Sequence, residues 1–136
     1  MSRRKGRETA LQMLFQRDLS GMKDEESRRI FWQCNKVSAE AKKFADDLYR
    51  NVIRNIGDLD RLISGHSTNW KIERMSAVDR NTLRMALAEY LYVGSPRAVV
   101  TDEAVQIAKR FGSEKSGAFV NGILDAVLQE LERSKS

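Results

Sequence analysis

Apolar residues recur at helical spacing through almost the whole chain. Ala10, Leu11, Leu14, Phe15 and Leu19 predict a first helix over about residues 3–19, stopping near Gly21. Ile30, Phe31 and Trp32 are the apolar content of a shorter helix over about residues 24–34. Ser38 suits the cap of a third helix, where Phe44, Leu48, Val52 and Ile56 repeat at spacing four. Gly57 is expected to end it, and Leu59, Leu62 and Ile63 predict a short helical turn before Gly65. From Trp70 to Tyr92 a broad apolar face runs through Met75, Val78, Leu83, Ala86, Leu87, Tyr90 and Leu91. Ser76 followed by Asp79 marks a cap and a restart within it, and Gly94-Ser95-Pro96 stops it.

Ala104, Val105, Ala108 and Phe111 belong to the next helix, which Gly112 ends. Its start has two readings, a cap at Ser95 with Pro96 in the first turn, or a cap at Thr101. The last helix covers about residues 114–132, with Phe119, Val120, Ile123, Leu124, Val127, Leu128 and Leu131 on one face. Asn121-Gly122 falls inside that period, so Gly122 is expected to admit a second helix at close approach. Ala98-Val99-Val100 is the only strand-like run, too short to build a sheet. The expected fold is all-α: a single-domain helical bundle of about six or seven helices spanning residues 1–136. Phe44, Phe111 and Tyr90 are expected in its core.

Composition narrows the chemistry. The chain has 136 residues, 41% hydrophobic and 32% charged, the balance of one soluble domain. No apolar run approaches the ~20 residues of a membrane span, and no signal-peptide core follows the charged start. The single cysteine, Cys34, excludes an intramolecular disulfide and a multi-cysteine zinc site; it reads as a small semi-buried residue. The single histidine, His66, reads as a loop residue and leaves little for acid–base catalysis. Gly112-Ser-Glu-Lys-Ser-Gly117 has phosphate-loop glycine spacing, but Ala118 and Phe119 stand where Lys and Ser or Thr are needed. These observations lead us to expect a cytoplasmic protein with no membrane contact, no cofactor, no metal and no catalytic residues.

The net charge of +5 is concentrated at one end. Residues 1–7 hold Arg3, Arg4, Lys5 and Arg7 with no acid, while the rest of the chain is nearly neutral. This basic N-terminal arm leads straight into the first helix, where cations oppose the helix dipole. A polyanion would relieve that conflict, as nucleic-acid-binding arms do, although a solvated terminus fits the charge equally well. Single-stranded RNA needs cations for phosphates and flat groups for bases. Phe119, at a helix start beside Lys115, is a candidate stacking platform; its spacing fits a core anchor equally well.

Several strings together resemble one family. Glu103-Ala-Val-Gln-Ile-Ala-Lys109, Phe111-Gly112, Glu114, Ser116 and Phe119-Val-Asn-Gly-Ile-Leu-Asp125 closely resemble the C-terminal signature of the bacterial antitermination factors of the NusB family. Arg3-Arg4-Lys5, Arg7-Glu8, Ala10-Leu-Gln12 and Leu14-Phe15 resemble that family's arm and first helix. Trp70, Arg74, Val78-Asp-Arg80, Leu83-Arg84 and Glu89 resemble its central helix, and Pro96 with Val99 the turn after it.

The resemblance implies an all-helical RNA-binding factor, not an enzyme. It implies pairing with the small-subunit ribosomal protein NusE, binding of single-stranded boxA RNA, and help to the transcription elongation complex in reading through terminators of ribosomal RNA operons. Carried over by position, the RNA-facing set is Arg3, Arg4, Lys5, Arg7, Gln12, Lys115 and Phe119, and the partner-facing set is Phe15 and Asp79. Two residues depart from the pattern. Phe15 replaces a common Tyr and its hydroxyl, and Lys115 stands where some relatives carry an acid. Two other readings stay open: a free-standing relative of the RNA-binding domain of ribosomal RNA methyltransferases, and a helical protein–protein adaptor. Exposed Met and aromatic side chains also leave a homodimer open.

Overall fold

A computed structural model describes residues 2–67 and 71–135. Among them the chain forms seven α-helices and no strand. These are α1 (Ser2–Ser20), α2 (Asp24–Cys34), α3 (Ala39–Arg54), α4 (Ile56–Ser64), α5 (Ala77–Ala88), α6 (Arg97–Phe111) and α7 (Ser116–Arg133). A 3-10 turn, Ile72–Arg74, precedes α5, and a π turn, Glu89–Val93, follows it. Trp70, read above as the start of the central helical stretch, lies outside the described residues.

Local chemistry sets most of the boundaries. The Ser38 hydroxyl accepts from the Ala41 N–H at 3.1 Å, and the Ser76 hydroxyl from the Asp79 N–H at 3.1 Å. The second cap turns the long helical stretch into a 3-10 turn followed by α5. Gly57 does not end α3. Asn55 does, donating its side-chain amide to the Asn51 carbonyl at 2.8 Å, and Gly57 falls in the first turn of α4. Gly94, with φ at 86°, takes the left-handed conformation that closes the π turn. Neither Ser95 nor Thr101 caps α6. Pro96 stands at its N-cap, and the Ser95 hydroxyl is buried without a partner.

The core centres on α5, where Asn81 through Ala88 are all buried. It packs against α1, α3, α4, α6 and α7, while α1 lies along α3 and α6 along α7. A helix covered on every side is normally apolar, yet α5 carries Asn81 and Arg84. Acids on its neighbours satisfy both. Asp18 of α1 accepts from Asn81 at 2.9 Å and from Arg80 at 3.1 and 3.2 Å. Asp60 of α4 accepts from Nε and Nη2 of Arg84 at 2.8 and 2.9 Å. Burial pushes the Asp18 carboxyl up, but hydrogen bonds from Asn81 and Arg80 and the nearby guanidinium charges outweigh it and hold it low. Asp46 ties α3 to α2 in the same way, taking Arg28 in two contacts and the Trp32 indole N–H at 2.8 Å.

Three packing expectations change. Gly122 is exposed, and a Cβ there would meet nothing within 4 Å, so no helix crosses it. The close approach is at Gly6, where a Cβ would lie 2.8 Å from Phe44 Cδ2 and 3.2 Å from the Ala41 carbonyl. Phe111 is exposed rather than core, while Phe44 and Tyr90 pack partly against the core. Cys34 is exposed rather than semi-buried.

The two glycines should therefore respond oppositely to alanine. Gly122→Ala should raise the urea unfolding midpoint, worth up to about 1 kcal/mol for removing glycine from a helix interior. Gly6→Ala should lower it, by about 1–3 kcal/mol of overpacking against α3. The reverse order would contradict the packing of α1 on α3.

Candidate nucleic-acid interface

The four N-terminal cations do not form a separate arm. Helix α1 begins at Ser2, so they occupy its first turns and point in different directions. Arg7 turns inward. Its Nε and Nη2 donate to the two oxygens of Glu89 at 2.7 Å each, and its Nη1 donates to Glu103 at 2.9 Å. Its side chain is 6% exposed and that of Glu89 is 2%. The assignment of Arg7 to an RNA-contacting set is therefore corrected: its guanidinium is committed to two carboxylates inside the fold. Arg4 is exposed but also held, donating to Glu103 at 2.6 and 3.2 Å. Arg3 lies over the Phe44 ring at 5.0 Å, and Lys5 is exposed.

For Arg4 and Arg7 the conflict with the helix dipole is thus resolved within the chain, by acids on the π turn and on α6. Burial works against the charge on Arg7, but the hydrogen bonds and charge of Glu89 and Glu103 outweigh it and raise its pKa. Glu103 is held below the ordinary carboxylate range, first by the hydrogen bond from Arg4 and then, against its partial burial, by the charges of Arg7 and Arg4.

Beyond Arg4, α1 and α6 stay joined where Arg110 donates to Glu8 at 2.7 Å. Further along, Gln12 and Phe15 are exposed on the wall of a groove of about 470 Å3. Leu11, Leu19, Val78 and Phe111 complete its apolar surface. A second cavity, of about 230 Å3, opens beside it, between the start of α5 and the loop before α7. Here Lys115 and Phe119 come together with Asp79, Ser113 and Arg74. Residues close in sequence link the two hollows, Val78 with Asp79 on α5, and Phe111 at the end of α6 with Ser113 just beyond it. Gln12, Phe15, Asp79, Lys115 and Phe119 thus share one face, about 16 Å of α1 separating Phe15 from Arg4.

The loop before α7 is shaped by small groups. The Ser116 hydroxyl accepts from the Ser113 N–H at 2.9 Å, and a Cβ on Gly112 would sit 2.7 Å from the Ala108 carbonyl. Arg74 was missing from the sequence-derived site because nothing in its spacing links it to a loop about 40 residues later. Glu89 and Glu103 were missed as partners of Arg7 for the same reason. His66 lies just past α4, with its Nε2 2.6 Å from Glu130 of α7, away from this face. Among the described residues no helix is long and apolar enough to cross a membrane.

Comparison with known proteins gives a consistent result. A model of the NusB family matches residues 4–129. The chain is 42% identical over 136 residues to the transcription antitermination protein NusB of Koribacter versatilis (strain Ellin345), covering 98% of this chain and 93% of that one. It is similar to a solved structure of T. maritima NusB, with a TM-score of 0.85 and 39% identity, covering 94% of this chain and 91% of the other. It is also similar to a chain in the structure of the antitermination factors NusB and NusE in complex with dsRNA. There the TM-score is 0.83 and the identity 30%, covering 95% and 97% of the two chains.

Two outcomes follow from the inward arginine. Arg7→Ala should destabilise the protein by about 3–5 kcal/mol in urea unfolding, because it leaves Glu89 buried without its cation. A variant as stable as the parent would contradict the role given to Arg7. Acid should also unfold the protein early. Glu103 and Asp18 both titrate below their ordinary values, so their contribution is complete above that range and is lost as pH falls through and below about 4. A thermal-melt series flat from pH 6 to pH 3 would contradict this.

Proposed function

Because the chain belongs to the NusB family, we propose that it is an RNA-binding transcription antitermination factor that works by binding rather than catalysis. In this reading it joins NusE on single-stranded boxA RNA and acts on the transcription elongation complex, promoting read-through in ribosomal RNA operons. The observation that carries the reading is the shared face. The aromatic Phe119 and the cation Lys115 sit in one hollow, beside an apolar groove walled by Phe15. The first suits a base and its phosphate, and the second suits a protein. The solved complex of NusB and NusE with dsRNA supports both partners.

In this reading the cations divide by their surroundings. Arg3 and Lys5 reach solvent at the start of α1 and serve the phosphate backbone, with Lys115 at the far end of the face. Arg4 is shared with Glu103, and Arg7 supports the fold. Phe15, without a tyrosine hydroxyl, offers NusE an apolar contact only. Asp79 belongs geometrically with Lys115 and Phe119 rather than with Phe15.

The test is fluorescence anisotropy of a boxA RNA and a scrambled control across a salt series, with and without NusE. We expect preference for boxA, tightened by NusE. The double variant Arg3→Ala/Lys5→Ala should flatten the log–log salt slope by about 1.4, from two phosphate contacts at about 0.7 each. Equal binding of both RNAs with and without NusE would overturn the reading.

A further inference from the structure

One guanidinium ties α1 to the turn before α5. Arg80, on α5, donates from Nε and Nη2 to Asp18 at 3.2 and 3.1 Å. Asp18 lies on α1 one turn past Phe15, and its neighbour Leu19 walls the apolar groove. From Nη1, Arg80 donates to the Met75 carbonyl at 3.0 Å and the Ile72 carbonyl at 3.5 Å. Those two residues bracket Arg74 in the 3-10 turn. The turn has little else to aim it. Its own bonds run from the Arg74 N–H to the Lys71 carbonyl at 2.9 Å and from the Met75 N–H to the Ile72 carbonyl at 3.2 Å, and 3-10 hydrogen bonds are poorly aligned. The buried Ile72 and Met75 side chains fix its depth in the core, but apolar burial has no direction. The planar fork of Arg80 does. Arg74 itself is exposed, lines the hollow with Lys115 and Phe119, and forms no ion pair among the described residues. A guanidinium without a carboxylate keeps its whole fork for a phosphate.

Resting on the RNA-binding reading, we propose that Arg74 contacts an RNA phosphate and that Arg80 is the residue that positions it. Arg80 meets no RNA, because its Nε, Nη1 and Nη2 are committed to Asp18 and to the turn. It sets the course of the backbone through Arg74, which brings that guanidinium to the hollow beside Lys115 while Phe119 takes a base. Lysine is no substitute at position 80: one ammonium lacks the fork that grips Asp18 and the turn carbonyls together.

The probe is boxA RNA in a salt series, read by fluorescence anisotropy, with Arg80→Lys placed in three backgrounds: the parent, Arg74→Ala and Lys115→Ala. In the parent and in Lys115→Ala it should weaken binding about fivefold at about 0.1 M salt and flatten the log–log slope by about 0.7, the share of one phosphate. In Arg74→Ala it should change affinity by less than about 1.5-fold, because the contact it positions is already gone. A general structural loss would weaken binding equally in all three backgrounds, and that result would overturn the proposal. Full RNA affinity in Arg74→Ala or in Arg80→Lys would overturn it too, and each of these results leaves the RNA-binding reading standing. No RNA binding by the parent would overturn both. If circular dichroism and urea unfolding show that Arg80→Lys does not fold, Asp18→Asn takes its place in the same comparison with the same outcomes. It removes the charge that holds Arg80 and keeps an acceptor for Asn81.

Discussion

Arg7 carries a full charge into the junction of α1, the π turn and α6, and the fold depends on the two carboxylates that meet it there. Glu89 takes two of its donors and Glu103 a third. Removing an ion from water costs several kcal/mol, so such a group is tolerated only where its partners sit at hydrogen-bond distance. The elements supplying those partners are far apart in sequence and are held in one arrangement by the requirement. The π turn becomes intelligible in this light. The extra residue in its winding accompanies Glu89, whose carboxylate is buried facing α1, while the carbonyl of the same residue accepts from Gly94 N–H at 2.9 Å. The same logic recurs on α5, where Asp18 and Asp60 satisfy Asn81 and Arg84 of an otherwise enclosed helix.

This anchoring decides what the surface can do. A basic terminus that was free would reach wherever phosphate lay. One wound into α1, with a cation buried and another half-committed, presents a short rigid edge instead. Its exposed cations have fixed positions relative to Gln12, Phe15 and the hollow with Phe119, because α1 and α6 are joined at Arg4–Glu103 and Glu8–Arg110. A rigid face of this kind sets the register of a bound strand, which a flexible tether does not.

The helices were largely legible in the sequence because their information is local. Apolar spacing, the caps at Ser38 and Ser76, and the stops at Gly94 and Gly112 act within a turn or two. What was not legible is long-range. Gly122 sits mid-period and reads as a packing glycine, yet it faces open space; Gly6 sits in a charged stretch and is the one that meets α3. Four neighbouring cations read alike, although one of them is buried by acids 82 and 96 residues away. Lys115, Phe119 and Asp79 were each identifiable, the first two by residue type and position, all three by resemblance to the NusB family. Their meeting in one hollow, and the presence of Arg74 in it, needed the fold.

The central claim is that Arg7 belongs to the fold while Arg3 meets the ligand. Arginine Nε–H resonances in a nitrogen–proton NMR spectrum, followed as boxA RNA is added, separate the two directly. The account predicts that the Arg7 signal exchanges slowly with water and stays in place, while the Arg3 signal exchanges fast and moves. An Arg7 signal that exchanges as fast as that of Arg3 and shifts with RNA would contradict it.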